Sequence, residues 1–425
     1  MRRTTWLSGA VVLALAVAAC GGDDGDDDDA AGTNGDEALS GDLTVWIMDP
    51  GNPEVQETID ATGVAFEAEH EGVTIDIEYV PWPNAHDQFV TGIAGGQVPD
   101  LAEMGTTWTP EFGSQGAFVE VEAPEGDEYV PALVESGTVD GTNYGYPWYA
   151  GARALIYRTD IFEQAGVEPP TTWDELLTVG DTIAAAVPDI APIHMAGVYV
   201  HMLAPLVWGA GGEIASQEGD TWMPSVNSDA GKEAFSFFET LWKKGWSPEG
   251  AVQWNSVDVR EAFMNGQSAM MIGGGWDLSA ILSGNPELEG KVAAALMPAG
   301  PGGNQDQFAG GSHLVVFEES ENKELAAAFA EYMIAPEQVT TFTEQIGFLP
   351  GTVAGVEESV GSDDLYSVFG TQLVEHSRSY PPAAWWGAVE GANVFPNEAQ
   401  KLMQGQVTVD EAVANVDAAL QDAIG

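Results

Sequence analysis

The chain has 425 residues, of which 67 are acidic and 12 are lysine or arginine, and its formal net charge is −55. This length is too great for one small core and suits two lobes. Such an acidic excess argues against binding to nucleic acid or to anionic lipid surfaces, because both need clustered basic residues. The charge is typical of proteins that stay soluble in strong salt and also of acidic secreted proteins, and the sequence leaves both interpretations open.

The chain has one cysteine and six histidines. A single cysteine excludes a disulfide within the chain and a cysteine-based metal site. The histidines show none of the spacings at which two of them face one metal ion. We therefore predict neither a metal nor a cofactor.

The amino terminus has a basic start followed by an apolar stretch, residues 6–19, that is too short for an ordinary membrane span. The string Val17-Ala18-Ala19-Cys20 resembles a bacterial lipobox, at which the signal is cleaved and the cysteine takes up lipid. We predict a lipoprotein signal peptide over residues 1–19, with lipid attached at Cys20. Residues 20–42 are predicted to form an acidic flexible tether, and their acidic run lacks the spacing of a calcium-binding loop.

The folded part opens with a strand–helix–strand pattern. Its elements are predicted at residues 43–48, 54–69 and 73–80. The string Gly96-Gln97-Val98-Pro99-Asp100 then ends a helix and begins a buried strand. Glu103 and Trp108 lie at the carboxyl end of this strand, where ligands bind in open α/β sheets. We therefore predict that both residues bind the ligand.

Capping residues and apolar spacing mark three later helices. Thr172 and Glu175 form a capping box before one helix, and Thr408 and Glu411 form another before the last helix. Residues 229–244 carry a predicted buried face at helical spacing. Its members are Phe235, Phe238, Leu241 and Trp242.

A helix, a strand, a turn and a second helix are predicted within residues 256–278. The first helix ends at Asn265-Gly266, and the apolar run at residues 267–272 has the length of one buried strand. Gly273-Gly274-Gly275 allows a tight turn that frees amide groups at a helix start. Trp276 follows, and its flat apolar face suits a sugar ring at the rim of a cleft. The alternative is that Trp276 is a core residue.

The pattern F-x-x-G-x-x-A-M-x-x-x-G-x-W, which runs from Phe263 to Trp276, resembles the signature of the family 1 extracellular solute-binding proteins. These are the maltose-binding-protein-like receptors of bacterial ABC sugar importers. Other segments match the same family in the same order, and together they cover nearly all of the chain after residue 40. They include residues 96–100, 143–157, 166–176, 208–212 and 345–350. Arg158 departs from the family pattern, which has an asparagine there.

The resemblance implies an α/β fold, namely the two-lobed periplasmic-binding-protein type II fold with three inter-lobe crossovers. The crossovers are expected near residues 148, 297 and 347. Lobe one would comprise residues 43–148 and 298–346. Lobe two would comprise residues 149–297 and 347–425.

The resemblance also implies further residues of an inter-lobe cleft. Asp49 follows the first strand and is either an acceptor for a sugar hydroxyl or a turn residue. Arg153 lies at the first crossover and either donates to the ligand or forms a hinge ion pair. Trp276 and Trp386 are expected to face Trp108 across the cleft. The predicted ligand-binding residues are Asp49, Glu103, Trp108, Tyr149, Arg153, Trp208, Trp276 and Trp386, and four further candidates are Trp82, Trp148, Asp277 and Trp385.

The function implied by the resemblance is a lipid-anchored extracellular receptor on the outer face of the cell membrane. It would capture a di- or oligosaccharide and deliver it to the permease subunits of an ABC importer, as a monomer without catalytic residues. One alternative is a receptor of the same fold for a polyamine or another non-sugar solute, since an acidic cleft suits a cation. The other is a secreted carbohydrate-active enzyme with two catalytic carboxylates. Counting pairs of acidic residues cannot identify such an enzyme, because a chain with 67 acidic residues always has some close pair.

Overall fold

The computed structural model describes residues 39–122, 128–219, 221–361 and 364–425. The predicted signal peptide, Cys20 and the tether as far as residue 38 lie outside the described residues. Gly41 and Asp42, which we predicted to be tether, belong to the first strand because they pair with Val73 and Thr74. Within the described ranges, no helix combines the length and the hydrophobicity of a membrane span.

Strands and helices occur throughout the described part of the chain. The strands are β1 (Gly41–Met48), β2 (Val73–Val80), β3 (Leu101–Gly105), β4 (Thr138–Val139), β5 (Thr142–Asn143), β6 (Tyr146–Gly151), β7 (Ala154–Arg158), β8 (Ala191–Ile193), β9 (Ala215–Glu218), β10 (Thr221–Pro224), β11 (Ser268–Gly273), β12 (Val292–Ala295), β13 (Gln307–Phe308), β14 (Gly310–Val316), β15 (Leu349–Pro350) and β16 (Ser377–Arg378). The α-helices are α1 (Pro53–Glu69), α2 (Trp82–Gly95), α3 (Thr109–Gly113), α4 (Pro131–Gly137), α5 (Thr159–Ala165), α6 (Trp173–Ala186), α7 (Val200–Gly209), α8 (Asp229–Lys243), α9 (Ser256–Met264), α10 (Gly275–Gly284), α11 (Lys323–Ile334), α12 (Pro336–Ile346), α13 (Val353–Val360), α14 (Asp364–Glu375), α15 (Trp386–Gly391), α16 (Val394–Met403) and α17 (Val409–Ile424). Short 3₁₀ helices cover Glu249–Gln253 and Pro286–Leu288.

Two mixed sheets organise the chain. The larger has six strands in the order β15-β6-β14-β3-β1-β2, in which β1 is parallel to β2 and β3. In the same sheet β14 is antiparallel to β3 and β6. The smaller has four strands in the order β12-β7-β11-β8, and its β11 is parallel to β8 and antiparallel to β7. Lobe one denotes the larger sheet with its helices, and lobe two denotes the smaller sheet with its helices.

Each lobe has its own hydrophobic core. In lobe one, the alternate β1 residues Leu43, Val45 and Ile47 face the helices because successive strand side chains point to opposite faces. In lobe two, α8 buries Phe235 and Phe238, as their helical spacing predicted. The central strands β3 and β11 are buried along their whole length, so their ends are held in place for a site.

The loop between β1 and α1 is fixed by helix capping. The Asn52 side chain accepts a hydrogen bond from the Glu54 amide at 3.0 Å, and Pro53 suits the first helical position because its φ angle is preset. The loop that contains Asp49 is therefore short and directed along the end of the larger sheet.

The chain crosses between the lobes three times, and each crossing lies further along the chain than predicted. Residues 149–151 still pair with β14 and β15, so the first crossing follows Gly151. The pairing of β13 with β16 keeps Phe308 with lobe two, so the return falls at Ala309. Gly351 donates to the carbonyl of Trp148 at 2.9 Å, so the last crossing follows Gly351. These boundaries are set by the pairing of backbone segments that are distant in the sequence. A sequence motif does not reveal that pairing.

Candidate ligand-binding cleft

A cleft of about 790 Å³ lies between the lobes, at the carboxyl ends of β1, β3 and β11. This is the edge at which open α/β sheets bind ligands. Side chains of both lobes line it, and seven of the predicted candidates are among them. These are Asp49, Trp82, Glu103, Trp108, Tyr149, Arg153 and Trp276.

Glu103 forms the floor of the cleft on the lobe-one side. It is 2% exposed, and its carboxylate accepts hydrogen bonds from the Met48 amide at 2.8 Å and from the Tyr149 hydroxyl at 2.5 Å. The Ser312 hydroxyl also donates to it, at 2.5 Å. Burial raises the pKa of Glu103 to about 7, although these three hydrogen bonds act in the opposite direction. Glu103 therefore ties together the ends of four neighbouring strands, and most of its acceptor capacity is already used.

Two tryptophans form an aromatic corner on the lobe-one wall. The rings of Trp82 and Trp108 are 5.5 Å apart, and Trp82 is 40% exposed. Both rings pack close to Gly105 at the end of β3. An aromatic surface of this kind offers apolar carbon to a ligand.

Asp49 is a turn residue, which is one of the two roles that the sequence left open, and it also reaches the cleft. Its Oδ1 accepts from the Gly51 amide at 2.8 Å and from Gln56 Nε2 at 3.0 Å, which stabilises the turn. Its side chain also lines the cleft. Oδ2 makes no hydrogen bond within the described part of the chain, so it is the oxygen available to a ligand.

The glycine turn after β11 brings Trp276 to the junction of the two lobes. A side chain at Gly274 would collide with the Trp276 ring, which explains the glycine there. The ring stacks on Phe348 of lobe one with centroids 4.6 Å apart and an interplanar angle of 15°. It is partly exposed and lines the cleft. Trp276 therefore contributes to the packing between the lobes as well as to the cleft wall.

Arg153 lies on the lobe-two side of the first crossover. Its Nε donates to the Tyr199 hydroxyl at 2.5 Å, and its guanidinium lies 5.1 Å from the Trp276 ring centroid. The other described arginines pair with acidic residues, whereas Arg153 has no ion pair within the described ranges. The hinge ion pair that the sequence left open is therefore not formed.

The structure does not place five of the predicted candidates in the cleft wall. Trp208 and Trp386 are 2% and 1% exposed and pack around Tyr380 in the lobe-two core. The expectation that Trp386 faces Trp108 is therefore wrong, because the first turn of α15 directs its ring inward. The other three are Trp148, stacked on Phe342, Trp385, packed against Trp222, and Asp277, whose carboxylate caps α10 by accepting from the Gly274 amide.

Several cleft residues were missed by the sequence analysis. Phe308 lies at the lobe boundary, and the His201 ring stacks on it with centroids 4.6 Å apart. Burial lowers the pKa of His201 well below its usual value, so the ring is neutral. Phe348 and Glu390 also belong to this group. Of these missed residues, only Phe348 had a sequence signal, because it follows Gly347 within residues 345–350, which match the family pattern.

Glu390 lies where the lobes meet at one side of the cleft. Burial raises the pKa of its carboxyl to about 6, and hydrogen bonding by Thr107 of lobe one lowers it. On the same helix, Gly387 lies against the Glu111 carboxylate of lobe one, and any side chain at Gly387 would collide with it. The lobes are therefore in direct contact here. In the described part of the chain, no three acidic or histidine side chains are grouped as metal ligands would be.

Two α/β lobes with three crossovers and a cleft between them define the type II periplasmic-binding-protein fold. Residues 49–340 match the family described as bacterial extracellular solute-binding protein. The match spans more than half of the chain, so the chain belongs to this family.

Individual proteins agree with this assignment. A binding protein of Brucella abortus (strain 2308) is 30% identical over 374 residues, which cover 84% of this chain and 88% of that protein. The diacetylchitobiose binding protein DasA of Streptomyces coelicolor is 27% identical over 417 residues, with 95% and 94% covered. The solved structure of the sugar-binding protein MalE from Xanthomonas citri has a TM-score of 0.80 at 25% identity, with 90% of this chain and 97% of that chain covered.

Proposed function

We propose that the protein is a lipid-anchored extracellular receptor that captures a di- or oligosaccharide in its cleft and delivers it to an ABC importer. The observation that carries this proposal is the composition of the cleft, in which aromatic rings and hydrogen-bonding groups from both lobes surround about 790 Å³. Ligand sites of this size are mostly apolar with a few placed polar groups. The relatives DasA and MalE, named for sugar binding, support the same ligand class.

The residues that we propose as direct ligand contacts come from both lobes. They are Asp49, Trp82, Trp108, Arg153 and Trp276. Glu103 and Tyr149 serve as the shaped floor, since their polar groups bond to each other. A ligand that contacts both lobes stabilises the closed state, and the three crossover segments absorb the rotation between open and closed forms.

The alternative ligand is a polyamine, which the acidic side chains of the cleft favour. Asp49, Glu103 and Glu390 line it, and each attracts a cation when ionised. The guanidinium of Arg153 on the opposite side acts against a cationic ligand. We also propose that the protein returns its ligand chemically unchanged, as its relatives are named for binding. Glu103 fits this proposal, because three donors engage it and it is not free to act as a nucleophile.

Tryptophan fluorescence of the full chain tests the ligand class. Maltose, cellobiose, lactose and N,N′-diacetylchitobiose form the sugar series, and putrescine and spermidine form the amine series. We expect saturable quenching by at least one sugar and none by the amines, because Trp108 and Trp276 line the cleft. Saturation by an amine alone would replace the sugar proposal. Chromatography of the recovered sugar then tests for hydrolysis, and cleavage products would contradict a receptor without catalysis.

A further inference from the structure

Arg153 carries hydrogen-bond donors that the protein itself does not use. Its Nε is occupied by the Tyr199 hydroxyl, but its Nη1 is buried and has no hydrogen-bond partner among the described residues. A buried donor without a partner costs free energy, so such groups in native structures need an explanation. Since Arg153 lines the cleft, a ligand acceptor is the direct explanation.

The surroundings of Arg153 fix its direction. Its guanidinium lies within 5.9 Å of the ring centroids of Tyr199, Trp276 and Phe308. Three rings and the Tyr199 hydrogen bond hold the planar group, so the two terminal nitrogens are preset for one acceptor position. The three rings lie beside the guanidinium, so an acceptor that carries a small apolar group gains contact with them.

The charge of the cleft decides between an anionic and a neutral acceptor. Arg153 is the only lysine or arginine among the described residues that line the cleft, whereas Asp49, Glu103 and Glu390 are acidic. The whole chain has a net charge of −55, so a carboxylate on the ligand would meet a negative field. A carbonyl oxygen accepts the same hydrogen bond without adding charge.

We propose that Arg153 selects a sugar that carries an acetamido group, whose carbonyl oxygen accepts from the Arg153 terminal nitrogens and whose methyl group contacts the surrounding rings. This inference rests on the proposed function and names the ligand class of the same cleft. It makes Arg153 a specificity-determining residue.

The test compares two sugars that differ only at the group in question. Cellobiose and N,N′-diacetylchitobiose share a β-1,4-linked backbone, and the second has acetamido groups where the first has hydroxyl groups at C2. We expect the full chain to bind the acetamido sugar about 10- to 100-fold more tightly in calorimetry at neutral pH, the effect of one charge-assisted hydrogen bond to a buried donor.

Variants then assign this preference to Arg153. Arg153→Met keeps the apolar stem and should bring the affinity ratio of the two sugars close to one. Arg153→Lys keeps the charge without the planar fork and should give an intermediate ratio; it also serves if the methionine variant does not fold. The matched control is Arg158→Met, because Arg158 pairs with Asp160 and does not line the cleft. The control should keep the wild-type ratio.

The outcomes separate this inference from the proposed function. Equal binding of the two sugars, or an unchanged ratio in both Arg153 variants, overturns the acetamido proposal while the receptor proposal stands. Tighter binding of the uronic acid derivative of cellobiose shows that Arg153 recognises a carboxylate, which also overturns it. If neither sugar of the pair binds but maltose does, only the acetamido proposal fails. If no sugar binds at all, both proposals fail.

Discussion

Replacing Trp276 with alanine probes the position where ligand contact and lobe packing meet. The ring is partly buried, stacks on Phe348 and lies against Gly151. Of the roughly 200 Å² that such a side chain can bury, we assign roughly 80 Å² to the ligand and the rest to the protein. At about 25 cal/mol per Å², affinity falls by about 2 kcal/mol, or roughly thirtyfold in Kd, and the free energy of unfolding falls by about 3 kcal/mol.

These values differ from what the sequence alone predicts for this variant. The sequence predicts a loss of affinity well above the loss of stability, because it places Trp276 at an open rim. In the structure much of the ring is covered by lobe one, so stability should fall by as much as affinity or more. Urea unfolding measured by circular dichroism gives the free energy of unfolding. Calorimetry with the tightest-binding sugar of the series gives Kd.

Trp254→Ala is the matched control for this variant. Trp254 is a partly buried tryptophan of lobe two that packs edge-on against His194 and does not line the cleft. Its replacement should lower stability and leave Kd unchanged. If Trp276→Ala also leaves Kd unchanged in the folded protein, then Trp276 is a packing residue only and our account of the cleft wall is wrong.

Three further predictions concern Glu103, Gly387 and Cys20. The pKa of Glu103 is about 7 in the folded protein against 4.5 in the reference state, so its contribution to stability is complete below pH 4.5 and falls by about 3 kcal/mol as the pH rises to 7. Glu103→Gln should therefore flatten the dependence of the free energy of unfolding in urea on pH. An unchanged pH dependence would contradict the assignment. Gly387→Ala should lower the free energy of unfolding by less than about 1 kcal/mol, because only the flexible end of the Glu111 side chain has to move, and the added change Glu111→Ala should remove that cost; a larger loss that Glu111→Ala does not rescue would refute the contact. Cys20→Ser should move the protein from the membrane fraction to the medium, whereas continued membrane retention would count against lipid attachment.

Local sequence signals were reliable wherever backbone geometry decided the structure. The helix stop at Gly266 was predicted from its sequence, and Gly266 has a φ of 73°. The predicted capping box of Thr408 and Glu411 is present in full. At the other predicted box, Thr172 accepts from the Glu175 amide, but the Glu175 carboxylate accepts from Thr171 instead. Each of these features depends on residues a few positions apart, which is why the sequence contains them.

The cleft was predictable only where a strand end pointed to it. Glu103 lies within β3 and Trp108 lies three residues beyond its end, and both line the cleft. Trp386 failed as a candidate because its partner Tyr380 packs the ring inward, and aromatic identity does not distinguish a core ring from a cleft ring. Phe308 was missed for the converse reason, since a phenylalanine in a short strand resembles a core residue. Such assignments depend on contacts between elements that are distant in the sequence.

A crystal structure of the full chain with its tightest-binding sugar tests the central claim most directly. We predict a sugar between the lobes, with heavy atoms within about 4 Å of Trp108 in lobe one and of Arg153 and Trp276 in lobe two. A sugar that touches one lobe only, or that lies outside this cleft, would contradict the claim that both lobes hold the ligand.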